Sequence, residues 1–258
     1  MRRIRLTRST FLRTTFLGLV LLCLVIVASG IYSALLAASP GLIGHWPLNE
    51  GSGTSTLDAS GNGNLAQING ATWTTGRLGN ALRFDSSKHD TVDINRSVVD
   101  TSASFTVAAW VQLADMTYWR TAVSQDSDNV SGFYLQFIPK KAKFVPSEQF
   151  AFSLVNSDLT SGATIRALSN FNPVVNTWYH LVGIYDAGAT RSSLYVNGIL
   201  QSTQKVSAAW NADGETVIGR AKWGKATDFW SGKIDDVRLY NRALSATDVT
   251  NLYGSFRK

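Results

Sequence analysis

Beyond Pro40 the chain is built from short β-forming runs separated by Gly, Asn, Ser and Asp, and that punctuation limits it to a sandwich or a barrel. Ser104–Leu113 alternates, with Phe105, Val107, Ala109, Val111 and Leu113 on one face. Trp178–Tyr185 is a second run of strong β-formers. Ser193–Gln201 reads as a hairpin, because Asn197-Gly198 supplies the two positive-φ residues of a type I′ turn between apolar arms. Val217–Gly219 and Lys233–Tyr240 complete the clear set. No long 3.6-residue period runs through the middle of the chain. Its one helix signal is Ser245-Ala-Thr-Asp248, a capping-box start followed by Val249, Leu252 and Tyr253 as an apolar face. With no internal repeat and no low-complexity linker, residues 40–258 read as a single all-β domain.

Residues 1–39 are different. Five arginines (Arg2, Arg3, Arg5, Arg8 and Arg13) precede a stretch from Thr14 to Gly44 that carries no charge, and Phe16–Ala28 is almost purely aliphatic. A run of about 20 apolar residues can cross a bilayer as a helix, and arginines before it keep the N-terminus in the cytoplasm. Ala28-Ser29-Gly30 would also serve as a signal-peptide cleavage site. The expectation is therefore either a single-pass membrane protein with its domain outside, or a secreted domain. The same arginines explain the charge. The chain is +6 overall, but taking these five from its 24 basic residues leaves 19 against 18 acidic ones. A neutral body behind a basic stub indicates membrane topology, not nucleic-acid binding. Cys23, the single cysteine, lies in the apolar run, so the domain holds no disulfide.

Several segments together resemble the laminin-G-like, or concanavalin A-like, jelly-roll domains. They are Leu42–Gly53, Asp58–Asn64, Gly79–Asp85, Phe105–Val111, Trp178–His180, Leu194–Gly198 and Gly232–Leu244, in the family's order and approximate spacing. The resemblance covers residues 42–253. It implies an antiparallel two-sheet β-sandwich with the first and last strands adjacent. Bound calcium is common in such domains, and members include carbohydrate-binding modules, adhesins and receptor ectodomains. Many relatives carry a disulfide near the C-terminal strand, which this chain lacks.

Asp58-x-Ser-Gly-Asn-x-Asn64 is a Gly-rich loop with one acid and two amides, and calcium takes about six to eight oxygen ligands on such loops. Adjacency of the first and last strands would bring Asp236 to it. Asp58, Asn62, Asn64 and Asp236 are the expected ligands, the alternative being an Asx-turn beside a polar strand edge. As neighbours in a strand, Asp235 and Asp236 point to opposite faces and cannot flank one glycosidic bond. Glu50, Glu148 and Glu215 are isolated, and no Gly-x-Ser-x-Gly elbow occurs. His45 and His180 lie in apolar runs and read as packed residues. A binding protein, not an enzyme, is expected.

Sugar binders stack ring faces on aromatics and orient them with a few polar groups. Tyr118, Trp119 and Arg120, with Gln125, Asp126 and Asp128, form one loop-like cluster. Trp223 and Trp230 bracket a polar loop with Lys222, Lys225 and Asp228. These are the candidate ligand residues. Trp46, Trp73, Trp110 and Trp178 read as core, and the basic run Lys140–Lys143 as a solvated loop. The expected partner is a glycan or a cell-surface protein.

Overall fold

The computed structural model describes residues 40–142 and 145–257; the anchor or signal helix expected within residues 1–39 lies outside them. Two antiparallel sheets face each other. The first has the order β14 (Ile199–Lys205), β13 (Arg191–Val196), β12 (Trp178–Asp186), β7 (Phe105–Leu113), β18 (Gly232–Tyr240), β5 (Asn80–Phe84) and β4 (Thr72–Thr75), with β1 (Leu42–Trp46) also on β18. The second has the order β11 (Thr164–Leu168), β10 (Gln149–Val155), β9 (Ser131–Ile138), β8 (Arg120–Asp126), β15 (Thr216–Ile218), β6 (Thr91–Ile94), β3 (Ala66–Asn69) and β2 (Ser55–Thr56). A two-stranded ribbon, β16 (Ala221–Trp223) and β17 (Lys225–Thr227), stands apart from both.

The alternation in β7 builds the core. Phe105, Val107, Ala109, Val111 and Leu113 all point between the sheets, against Phe133, Leu135 and Phe137 of β9 and Phe150, Phe152 and Leu154 of β10. Burying each large apolar side chain contributes about 1.5–3 kcal/mol. Phe105 meets Phe133 at 5.1 Å between ring centroids and Phe152 edge-on at 6.0 Å. Gly183 of β12 lies where Phe152 comes closest to the facing sheet, and a Cβ there would overlap the ring.

Local signals hold where they were strong. Asn197 and Gly198 take φ of 52° and 79° and close β13 onto β14 as a type I′ turn requires. The capping box forms at Ser245 and Asp248, starting helix α1 (Ala246–Gly254). The sandwich edge between β14 and β11 is laced by Ser202, whose hydroxyl accepts from the Leu168 N–H and donates to its carbonyl, both at 2.7 Å. Among the described residues no helix is long and apolar enough to cross a membrane.

The other face of β7 carries Ala108 and Trp110, which pack with Val182, Ile184 and Tyr240 beneath Val249, Leu252 and Phe256 of the C-terminal segment. His180 sits in this apolar cluster, fully buried, 5.2 Å from Trp110 and 5.5 Å from Phe256 between ring centroids. Neither of its ring nitrogens has a hydrogen-bond partner. Burial drives its pKa down to about 3, against the pull of Asp236 and with the push of Arg238. A histidine held neutral in the fold takes up its proton on unfolding, so its contribution weakens as pH falls from about 6.5 toward 3. Asp235 and Asp228, raised by burial to about 7 and about 6, titrate with the opposite sign. Comparison with His180→Phe isolates the histidine. The stability of wild type relative to this variant should fall by up to about 1.4 kcal/mol per pH unit below pH 6.5. A pH-independent difference in denaturant titrations would contradict this account. Gly183→Ala should cost about 1–3 kcal/mol by forcing Phe152 out of place.

Candidate functional site

Asp58 and Asp236 do approach a common residue, as the sequence predicts, but that residue is His45 and not a metal. The His45 N–H donates to Asp58 Oδ1 at 2.9 Å, and its ring Nε2 lies 2.8 Å from Asp236 Oδ1. Asp58 Oδ1 also accepts from the Ser60 N–H, and Oδ2 accepts from both the backbone and side-chain nitrogens of Asn64. Burial would raise the Asp58 pKa, yet the donors on Ser60, Asn64 and His45 hold it below the usual carboxylate range. Asp236 is likewise held down against burial by His45 and by Arg238, whose Nε lies 2.9 Å from Oδ2. The Asn62 side chain turns back to the Ser60 hydroxyl on the exposed loop, and the Asn64 amide also donates to the Ile43 carbonyl.

The four residues expected to hold calcium therefore do not fit the ion. Their carboxylates face N–H donors, the His45 ring and the Arg238 guanidinium, and among the described residues no cluster of His, Cys, Asp and Glu could hold a metal. What forms is the Asx-turn alternative, bolted to the last strand through His45. Chelator and millimolar calcium should give the same melting temperature. Asp58→Ala, which strands four donors on Ser60, Asn64 and His45, should cost about 2–4 kcal/mol. A calcium-dependent rise in melting temperature would restore the metal reading.

The candidate ligand residues divide into two groups. Arg120 is buried, with Nη2 paired to both Asp115 oxygens at 2.9 and 3.1 Å and Nη1 donating to the Phe229 carbonyl. Asp126 is buried between Arg220 Nη1 at 2.6 Å and the Ser131 hydroxyl at 2.7 Å. Trp230 is wholly buried in the main core. None of these three is open to a ligand: Arg120 and Asp126 are buried against their ion-pair partners and Trp230 against the apolar core. Asp128 is exposed on the turn between β8 and β9. Tyr118 is exposed, its ring beside the Lys141 ammonium at 4.6 Å.

Trp119 and Trp223 do come together, across a cleft of about 260 Å³. Its floor is the outer face of the second sheet: Tyr134 and Gln136 from β9, Thr164 and Arg166 from β11. Period-2 alternation puts these four outside because Phe133, Leu135, Phe137 and Ala167 point inward. Trp119 enters from the loop before β8. Trp223, Thr227 and Asp228 come from the β16–β17 ribbon.

The ribbon is fixed over the floor by named bonds. The Tyr134 hydroxyl donates to the Lys222 carbonyl at 3.0 Å, and the Gly224 N–H donates to the Asn129 carbonyl at 2.7 Å. The Lys222 N–H donates to the Ser131 hydroxyl, which Asp126 in turn accepts. Beyond the ribbon, the Thr121 N–H donates to the Asp228 carbonyl at 2.7 Å. Arg120 and Asp126 thus act behind the cleft, as supports. Asp228 has φ of 54°, and burial raises its carboxyl pKa to about 6, against Thr227 and Arg120. Arg166 lies 5.9 Å from the Trp119 ring, and burial lowers its pKa.

The sequence reading missed Tyr134, Gln136, Thr164 and Arg166 as site residues. The signal was present: Phe133–Phe137 and Thr164–Ala167 each alternate polar with apolar residues, which marks one polar outer face.

Comparison with known proteins supports the architecture. Domain 4 of AbnA, a GH43 extracellular arabinanase from Geobacillus stearothermophilus, was solved with arabinotriose. It superposes with a TM-score of 0.64 at 17% identity, over 82% of this chain and 98% of that one. The binding domain of Paraclostridial Mosquitocidal Protein 1 gives 0.66 at 15% identity, over 84% of this chain and 52% of that one. The binding domain of botulinum neurotoxin DC, solved with SialylT, gives 0.62 at 16% identity, over 84% and 51%. This chain spans about half the length of those two toxin domains. No curated protein matches the chain. At such identities the structural likenesses speak for the fold alone, but the sequence itself carries a family match. Residues 85–250, well over half the chain, match the model of the concanavalin A-like lectin/glucanases superfamily, and the chain belongs to that superfamily.

Proposed function

We propose that this protein is a carbohydrate-binding module that works outside the cytoplasm. In this reading the apolar segment within residues 1–39 either tethers it to the membrane or is cleaved to release it. The observation that carries the proposal is the convergence of Trp119 and Trp223 on one cleft floored by hydrogen-bonding side chains. Trp223 is more than a third exposed, at 37%, so part of its ring is open to a partner in the cleft that it lines with Trp119. A sugar offers apolar C–H faces to such rings and hydroxyls to groups like Gln136, Thr164 and Asp228. The volume sits just below the range of about 300–1,000 Å³ for drug-sized sites, a size suited to one or two sugar rings. The relatives agree in kind: AbnA domain 4 was solved with arabinotriose, and the toxin domain with SialylT. Catalysis is not proposed, because the cleft holds one carboxylate, Asp228, and glycosidase chemistry takes a pair.

The test is a glycan array probed with the full chain in a detergent that has no sugar headgroup. Reproducible hits should weaken at least about tenfold in Trp119→Ala and in Trp223→Ala, with the melting temperature of each variant close to wild type. A blank array from a folded sample, or hits that survive both substitutions, would overturn this site.

A further inference from the structure

Several of the donors that line the cleft are engaged by the protein itself. The Tyr134 hydroxyl donates to the Lys222 carbonyl at 3.0 Å, the Gln136 amide to the Ser153 hydroxyl at 2.6 Å, and the Thr227 hydroxyl to Asp228 Oδ1 at 3.1 Å. Arg166 bonds the Thr164 carbonyl at 3.5 Å and lies beside the Trp119 ring. Asp228 is different. Thr227 meets one oxygen of its carboxyl, and among the described residues no donor meets the other, Oδ2, although the residue lines the cleft. Backbone bonds hold this carboxyl in place. The Asp228 carbonyl accepts from the Thr121 N–H at 2.7 Å, the Phe229 carbonyl from Arg120 Nη1 at 3.0 Å, and the Trp230 N–H donates to the Gly219 carbonyl at 2.7 Å.

A carboxyl group at this place works against the fold. Burial raises its pKa to about 6, with the Thr227 bond and the Arg120 charge pulling the other way. At its φ of 54° an asparagine would sit as readily and bring no charge to bury. What the acid alone supplies is a second oxygen in place of an amide N–H, so that once ionised it only accepts. A hydroxyl that donates to a carboxylate makes a charge-assisted bond, about twice as strong as a neutral one. We propose that Asp228 is the specificity-determining residue of the cleft: its ionised carboxylate accepts a hydrogen bond from one hydroxyl of the bound saccharide, so the site takes sugars that present a free hydroxyl there and releases them in mild acid. This inference rests on the reading of the cleft as a sugar site, and adds the residue that selects and the condition that releases. The charged and titratable groups around Asp228 are Arg120, which is paired to Asp115, Tyr134 on β9, Arg166 on β11 and Lys222 on the ribbon, whose ammonium bonds the Ser127 carbonyl. His89 lies against the next residue, its ring 4.4 Å from that of Phe229. Of these side-chain types only histidine ordinarily titrates near neutrality, so His89→Gln is the control.

The experiment is an array of neutral glycans probed with the full chain, in the same detergent, at about pH 7.5 and about pH 5, with the melting temperature followed at both. The strongest hit is then titrated by calorimetry. Wild-type affinity should fall about tenfold between the two, because a carboxyl with a pKa of about 6 is roughly nine-tenths protonated at the lower pH. Binding near pH 6 should release protons, read as a binding heat that varies with the ionisation heat of the buffer. Asp228→Asn keeps the size and the acceptor for Thr227 but places an N–H where Oδ2 was. It should weaken binding at about pH 7.5 by about tenfold or more, abolish the pH dependence, and melt no lower than wild type. His89→Gln should keep the wild-type profile. Affinity that is equal at both pH values, or unchanged in Asp228→Asn, would overturn this inference and leave the sugar site standing. A profile that survives Asp228→Asn and disappears in His89→Gln would give the switch to His89 and overturn it as well. A blank array from a folded chain at both pH values would overturn the sugar reading together with this inference. If Asp228→Asn unfolds, the proton release decides without a variant: wild-type binding near pH 6 that releases no proton would overturn the role of Asp228.

Discussion

Strand β18 is hydrogen-bonded along both edges, and the first sheet depends on how it divides one of them. β7 lies along one side from Gly232 to Tyr240, interrupted by a bulge between Asp235 and Arg238. On the other side β5 pairs with Gly232–Ile234, and β1 with Val237–Tyr240. Two different strands can share that edge only if the backbone turns between them. Asp236 makes the turn in the left-handed region, at φ of 46°, which costs a non-glycine residue about 1 kcal/mol or more. Its surroundings hold it there. Asp235 Oδ2 accepts from the Arg77 and Leu78 N–H groups and secures the loop leading into β5. Asp236 secures β1 through His45. The two adjacent carboxylates, which as strand neighbours cannot form a catalytic pair, are thus two clamps facing opposite ways.

The two outer faces of the sandwich are covered by different chemistry, and this decides where a ligand can go. The first sheet is sealed by α1 and Phe256 over an apolar cluster containing Trp110 and Val182. The guanidinium groups of Arg77 and Arg238 lie on its aromatic rings, over Trp110 and Phe256, and His180 is enclosed. The second sheet is covered by a ribbon resting on polar residues: Tyr134, Ser131 and Asp126 hold the β16–β17 backbone by its own carbonyls and N–H groups. The cleft lies between this ribbon and the sheet, lined by Trp223 at the ribbon's turn and by Thr227 and Asp228 at its end.

Much of the fold was legible because its signals are local. Alternation in Phe105–Leu113, the Asn197-Gly198 turn and the Ser245–Asp248 cap each act within a few residues and survive any tertiary context that buries the right face. The site was legible only in part. Trp119 and Trp223 stood out as large aromatics among polar loop residues, where apolar surface needs a reason. Arg120, Asp126 and Trp230 carried the same surface signature but point inward, since a strand end offers carbonyls and buried counter-charges that a loop in solvent does not. Tyr134 and Arg166 share the cleft floor because β9 and β11 flank β10. That order is set by long-range pairing, which no local pattern encodes.

The Asp58 loop shows how the same residues can serve either a cation or the chain itself. An acid, two amides and glycines make a calcium loop when their oxygens converge on a vacant point, and an Asx-turn when N–H groups arrive there first. Here the N–H groups of His45, Ser60 and Asn64 do arrive, and the ionised Asp58 carboxylate is what they bind. Its pKa is lowered in the fold. The stabilisation is therefore complete above the ordinary aspartate value of about 3.9, and is lost as pH falls through the lower, folded one. The same bonds, through His45, join the Asp58 loop to the last strand.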